Sequence, residues 1–361
     1  MPKRLISEET DEVDSSSEDQ VKKVQKSDDS DELDDAATID RQRILDILEI
    51  KNIKTAKEEE FKEIFDNMAN RLMNDVVLMV GGIPYVLVEI EYYFKGYNHV
   101  DHYAHGDEHQ RRMASWYFHR QNGGGYKTAS YKGLDITFGD GTAYAGILIR
   151  GIERVDAKTN LVDGPSLTVD NLLREAGEPD IQSFVTKYGT SLLPGENKGM
   201  YLTMRDHSSR KKPDVRKPIS SGRVGLTMKM YKKDKEFYFG RDYRYIRLPD
   251  KVKKGKHYMN TALHKQGHKV AQIKDITKST AAAIQKCIDA FEAGLKEAKD
   301  KSSLEPYKGA LSNDDCCKLI GVCYGLEKLR STGSPDKEKD DDNNDSSDGE
   351  GEESEEEQND D

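Results

Sequence analysis

Glu89 and Glu91 stand two residues apart, followed by Tyr93 and then by Asp101, His102 and His105. Carboxylates, phenols and imidazoles are the side chains that move protons in enzymes. The stretch 84–105 therefore holds candidates for acid–base chemistry. Its alternation reads as a strand, with Val86, Val88, Ile90, Tyr92 and Phe94 on one face and Leu87, Glu89, Glu91 and Tyr93 on the other. On pattern alone, an acidic face of a half-buried strand is a solvated one. If that face is covered instead, acids, a phenol and imidazoles converge at one end of a sheet.

Arg150 follows the apolar run Ile147-Leu148-Ile149. An arginine there is an ordinary strand-end surface charge, unless it points toward Glu91, where it would bind phosphate or an activating carboxylate. A metal is the other chemistry to weigh, because His99, His102, His105, His109 and His119 crowd into one segment. His105 and His109 would share a face if that segment were helical. No HExxH motif accompanies them, so a metal-dependent enzyme is the least favoured reading. No metal or other cofactor is expected.

The elements that must position these residues follow from periodicity. A helix is predicted over 56–73, a strand over Val76–Val80, a Gly81-Gly82 hairpin and a returning strand over Pro84–Phe94. Further strands are predicted around Trp116–Arg120, at Tyr126–Phe138 and at Ala143–Val155. Helices follow at 164–175 and 180–187. Residues 189–222 read as an insertion containing the basic run Arg210-Lys211-Lys212, and 223–230 and 236–248 return to strand composition. Residues 250–272 read as a flexible basic arm. Helices are then expected over 277–299 and from Ser312 to Arg330, the last opening on a Ser312/Asp315 capping pair.

Composition divides the 361-residue chain into a body and two ends. The formal net charge is −11, with −8 in residues 1–39 and −13 in 331–361, which leaves 40–330 at +10. A basic body favours a polyanionic partner, and acidic tails could compete with it or bind basic proteins. The Ser/Asp/Glu-rich ends, 1–38 and 331–361, have the composition of disorder. No apolar run is long enough to span a membrane. Cys287, Cys316, Cys317 and Cys323 show no zinc or CxxC spacing and read as reduced thiols of an intracellular protein.

A series of short motifs then runs in order: VEIEYY (Val88–Tyr93), Asp101 with His105, LIRGIE (Leu148–Glu153), DGPSL (Asp163–Leu167), RVG (Arg223–Gly225) and FYFGRDY (Phe237–Tyr243). Over roughly 75–248 this resembles the alkyladenine (3-methyladenine) DNA glycosylase family, as a divergent member. The resemblance implies a mixed α/β (α+β) domain with a curved antiparallel sheet and surrounding helices, and removal of alkylated or deaminated purines from double-stranded DNA by hydrolysis. It implies Glu91 as the base that activates water and Arg150 beside it. Tyr93 and His105 would form the base pocket. Tyr131, Lys132, Arg241 and Arg244 are the expected DNA contacts. The family's wedge tyrosine before a glycine is replaced by Lys132 before Gly133, with Tyr131 one residue earlier, and the family's pocket asparagine falls near Phe138-Gly139, where there is no amide.

The domain plan is thus a glycosylase-like unit over 39–250 and a basic arm with helical extension over 251–330, between the two tails. A monofunctional glycosylase acting as a nuclear monomer in base-excision repair is the leading expectation. A non-catalytic nucleic-acid-binding protein on the same fold is the alternative.

Overall fold

The computed structural model describes residues 35–121, 124–155, 160–206, 215–230 and 238–331. The run Arg210-Lys211-Lys212 and nearly all of both acidic ends lie outside these residues. The protein is a mixed α/β fold built on one curled antiparallel sheet.

The 14-residue strand β2 (Ile83–Gly96) is the axis of that sheet. Along one edge it pairs with β6 (Tyr144–Arg154). Along the other it pairs first with β1 (Val76–Val80) and then with β10 (Arg244–Ile246). The main order is β4 (Met113–Phe118), β5 (Leu134–Phe138), β6, β2, β1, β8 (Met200–Met204). Short strands β3 (His99–Val100), β7 (Leu161–Asp163) and β9 (Ile219–Ser221) add to β2, β6 and β10. The β1–β2 hairpin turns on Gly81 and Gly82, with φ of 55° and 82°. Those are the two left-handed positions of a tight hairpin, which glycine occupies without steric cost.

One face of the sheet is covered by α1 (35–48) and α2 (Glu60–Asp75), whose Ile44, Leu48, Phe61, Phe65 and Leu72 pack with Tyr85, Leu87, Ile90, Tyr92 and Phe94. Helices α3 (Pro165–Glu175) and α4 (Ile181–Tyr188) add Val169, Leu172 and Phe184 to the same core. Val86 and Val88 do not belong to it. They pack with Ile246, Leu248, Val252 and Met259 on the opposite side. The pairing of β2 with β6 slips on either side of Glu89, so Val88 and then Arg150 are left as extra residues in their strands. A bulge of this kind breaks the period of two. Strict alternation therefore misassigned Val86, Val88 and Leu87.

Several other expectations are corrected. Residues 126–133 form a loop with a short 3-10 turn at Ala129–Tyr131, and β5 begins only at Leu134. The supposed insertion at 189–222 supplies β8, an edge strand paired with β1, and β9. Residues 223–230 are not a strand but a loop ending in a 3-10 turn at Met228–Met230. The basic arm is two helices, α5 (Lys256–Lys265) and α6 (Val270–Thr277). Tyr258, Met259 and Leu263 of α5 enter three different apolar clusters. A helix packed on several sides shows no single apolar stripe, which is why its sequence reads as an arm. Residues 35–38, placed in the N-terminal tail by composition, already belong to α1.

Helices α7 (Ala281–Glu297) and α8 (Asn313–Ser331) agree with the periodicity. The Ser312 Oγ accepts from the Asp315 amide at 3.2 Å, and the Asp315 carboxylate accepts from the Ser312 amide at 3.0 Å. This is the reciprocal cap foreseen in the sequence. Ser312→Ala is expected to lower stability by about 1 kcal/mol, measured as a reduced midpoint of urea unfolding with an unchanged slope.

Candidate active site

The face of β2 opposite the main core carries Glu89, Glu91 and Tyr93, and it is not solvated. Both glutamates are fully buried. The C-terminal segments lie over them, and each carboxylate is paired. The Glu89 Oε1 accepts from the Arg150 Nε and from the Arg244 Nε, each at 2.7 Å. The Glu91 Oε1 accepts from the Val224 amide at 2.7 Å and lies 3.4 Å from the Arg150 Nε. The Glu91 Oε2 accepts from the Tyr93 hydroxyl at 2.8 Å. Burial alone would lower the Arg150 pKa, but the charges of Glu91 and Glu89 outweigh it and hold the guanidinium protonated. Arg150 is thus no strand-end surface charge; it sits against both glutamates.

Arg244 is a correction. It was expected to contact DNA, but it is fully buried. Besides Glu89 it donates to the carbonyls of Gly255 at 3.1 Å and Lys254 at 2.8 Å. It opposes Glu91 across the β2–β10 ladder, and the alternation of a three-residue strand gave no sign of the carboxylates beneath it. Arg241 retains partial exposure but lies 3.5 Å from carboxylate oxygens of Glu58 and Glu327. Tyr131 is 73% exposed at the tip of its 3-10 turn. Lys132 turns back to Asp170 at 2.6 Å.

A second buried ion pair, between Arg223 and Asp101, lies beside the first network. Arg223 also donates to the Tyr92 carbonyl at 3.0 Å, and its guanidinium lies 4.5 Å from the Tyr93 ring centre. This pairing fixes the backbone that presents the Val224 amide to Glu91. Arg223 stands out in the sequence only as part of the RVG motif; its partner lies 122 residues away.

Tyr93, Tyr103, His105, Leu148, Val224 and Leu226 line a cavity of about 200 Å³, closed on its polar side by Gln110, His119 and Asp135. This is below the roughly 300–1,000 Å³ of pockets for drug-sized ligands, and on the scale of one nucleobase. The His119 Nε2 donates to Asp135 at 2.8 Å, and the Gln110 amide donates to the other Asp135 oxygen at 3.2 Å. His105 packs edge-on against His119 with ring centres 4.4 Å apart. Burial first, and the neighbouring His119 second, lower the His105 pKa to about 4, so it is neutral at physiological pH. Gln110 and Asp135 were missed as site residues, and His119 was weighed only as a metal ligand. Asp135 reads as one polar residue in an apolar strand, and only the sheet order brings it beside Gln110.

His105 and His119 pack together, but His99 and His109 stand apart from them. His99 is a core residue: its Nδ1 donates to the Phe94 carbonyl at 2.9 Å and its Nε2 accepts from the Tyr243 hydroxyl at 3.0 Å. His109 lies in a 3-10 turn over Glu108–Arg111 and bonds Asp107, so it shares no helical face with His105. Among the described residues no three His, Cys, Asp or Glu side chains are grouped to hold a metal. None of the described helices is long and apolar enough to cross a membrane.

No family model matches the chain. The uncharacterized protein L759 of Acanthamoeba polyphaga mimivirus is 33% identical over 220 residues, which cover 55% of this chain and 94% of the viral protein. The chain belongs to the L759 family.

Two outcomes are expected. Arg223→Met leaves Asp101 buried without its cation and is expected to cost about 3–5 kcal/mol, read from equilibrium unfolding in urea. His99 has its pKa lowered by burial from 6.5 to about 4. Between those values the unfolded chain binds the extra proton, so stability is complete above about pH 6.5 and falls as the pH drops toward 4. The loss assignable to His99 is about 3 kcal/mol. His99→Phe is expected to flatten that dependence in urea titrations run from pH 4 to 7.

Proposed function

We propose that this protein is a DNA N-glycosylase that hydrolyses the glycosidic bond of an alkylated or deaminated purine. One observation carries the reading: a buried carboxylate, Glu91, is bonded to the phenol of Tyr93, and Tyr93 is a wall of a nucleobase-sized cavity. An arginine lies beside that carboxylate, and tyrosines and a neutral histidine line the cavity.

A base inside a duplex is out of reach, so it must leave the stack and enter such a pocket. Tyr93 and Tyr103 then hold it by stacking. Glu91 accepts two close hydrogen bonds, while an ionised carboxylate has about four lone-pair positions. The remaining capacity suits a water molecule. Glu91 takes a proton from that water as its oxygen adds to C1′. The C1′–N bond breaks, and its electron pair leaves with the purine. An alkylated purine carries a positive charge and departs as a neutral base; a deaminated purine departs as an anion and takes up, through solvent, the proton that Glu91 received from the water, so neither case needs an amine nucleophile. Arg150, with its Nε 3.4 Å from the Glu91 Oε1, holds that carboxylate in position. The product is an abasic site.

A second reading, a non-catalytic nucleic-acid-binding protein on this fold, is favoured by the complete burial of Glu91 and by the bonds engaging both of its oxygens. The two readings separate in an alkali-cleavage assay on duplexes carrying hypoxanthine, ethenoadenine or 3-methyladenine. Strand breaks with the wild type, reduced at least a hundredfold by Glu91→Gln while duplex binding persists, are the expected result. No breaks on any lesion, or full activity in Glu91→Gln, would remove the role given to this residue.

A further inference from the structure

A larger cleft, of about 910 Å³, shares a lining residue, Val224, with the Tyr93 cavity. The segment before α5, the α6–α7 turn and the starts of α7 and α8 form its walls. Lys253, Lys254, Lys256, Lys278 and Lys286 line it, and the only carboxylate among its lining residues is that of Asp314. Asp314 is taken up by Lys286 at 2.6 Å. Lys256 turns inward to the Thr277 carbonyl. Lys253, Lys254 and Lys278 are exposed and their side-chain amines make no ion pair among the described residues, although the Lys253 backbone amide donates to the Asp163 carboxylate at 2.9 Å.

Three helices, α5, α7 and α8, begin at this cleft. Each helix start carries a partial positive charge from its unbonded amides. Acidic residues in the first turn usually balance that charge, and α5 and α7 have none there. Unpaired amines and uncompensated helix starts of one sign repel one another, and an anion in the cleft relieves that repulsion. The cleft is also fixed to the buried charges. The carbonyls of Lys254 and Gly255 accept from Arg244, which binds Glu89, and Val224 holds Glu91.

We infer that this cleft binds the phosphodiester backbone of a nucleic-acid strand, holding phosphates next to the nucleotide whose base enters the Tyr93 cavity. The lysines and helix starts call for phosphate; the choice of a nucleic acid over a free polyphosphate rests on the glycosylase reading. This role falls to residues 253–314, outside the stretch that resembles glycosylases, and to lysines rather than to Arg244.

The test is the salt dependence of duplex binding by the full chain, followed by fluorescence anisotropy on an undamaged labelled duplex. Lys253→Gln, Lys254→Gln and Lys278→Gln combined are expected to make the slope of log K against log[NaCl] shallower by about 2–3, since each phosphate contact contributes about 0.9. A charge-matched control, Lys51→Gln, Lys54→Gln and Lys57→Gln combined, is expected to change it by less than about 1 on the same scale. Equal changes in the two triple variants would overturn the assignment. So would micromolar binding of sodium tripolyphosphate that the cleft variant loses while its duplex binding stays normal, since the cleft would then serve a free anion. Base release measured at saturating protein keeps the two proposals apart. A shallower slope in a protein that excises no lesion supports the cleft and removes the glycosylase. Excision with an unchanged slope does the reverse.

Discussion

Glu89, Glu91, Arg150 and Arg244 are four charges enclosed between a sheet and the helices that cover it. Taking a charge out of water costs several kcal/mol even after relaxation, and mutual attraction offsets this only when the geometry is good. Here the geometry comes from four separate parts of the chain. Strand β2 supplies both carboxylates, β6 supplies Arg150, β10 supplies Arg244, and the loop at 224 supplies an amide. None of these can shift without leaving a buried charge unpaired. The Asp101–Arg223 pair extends the constraint to the loop after β3. The sheet, the 223–225 segment and the start of α5 are thereby held in one arrangement.

The irregular pairing of β2 and β6 belongs to the same constraint. In a regular ladder Val88 would share a face with Ile90 and Tyr92, and Arg150 would have an opposing residue on β2. The slipped register turns Val88 away from the main core and frees Arg150 to meet two carboxylates. Bulges commonly redirect a side chain beside a functional site. The apolar side chains that the slip sends to the far face are covered by Leu248, Val252 and Met259, so the C-terminal helices complete the enclosure of the glutamates.

Two cavities of different character meet at Val224. One is small, aromatic and closed by an internally bonded Asp135–His119–Gln110 group. The other is wide and basic. A nucleotide has the same division between a flat base and a charged backbone, which is the physical sense in which the two proposals fit one ligand. Val224, which lines both, follows Arg223 in the chain, and the Arg223 guanidinium lies near the Tyr93 ring and pairs with Asp101.

Much of this was legible from residue order alone. Alternation located β1, β2 and β6, helical spacing located α3, α4 and α7, and Ser312 with Asp315 marked the start of α8. The glutamate pair, Tyr93 and Arg150 could be singled out because local pattern distinguishes a polar residue in an apolar strand, and His105 because it stands in the histidine-rich segment that follows. Local pattern does not say what lies across from that strand. The solvated-face reading failed because the covering helix α5 has its apolar residues spread over three clusters and shows no stripe. Arg244 was read as a DNA contact because its carboxylate partner is 155 residues away. Burial, pairing and the Gln110–His119–Asp135 side of the cavity depend on contacts between distant segments, and these the sequence does not order; the tertiary structure alone decided them.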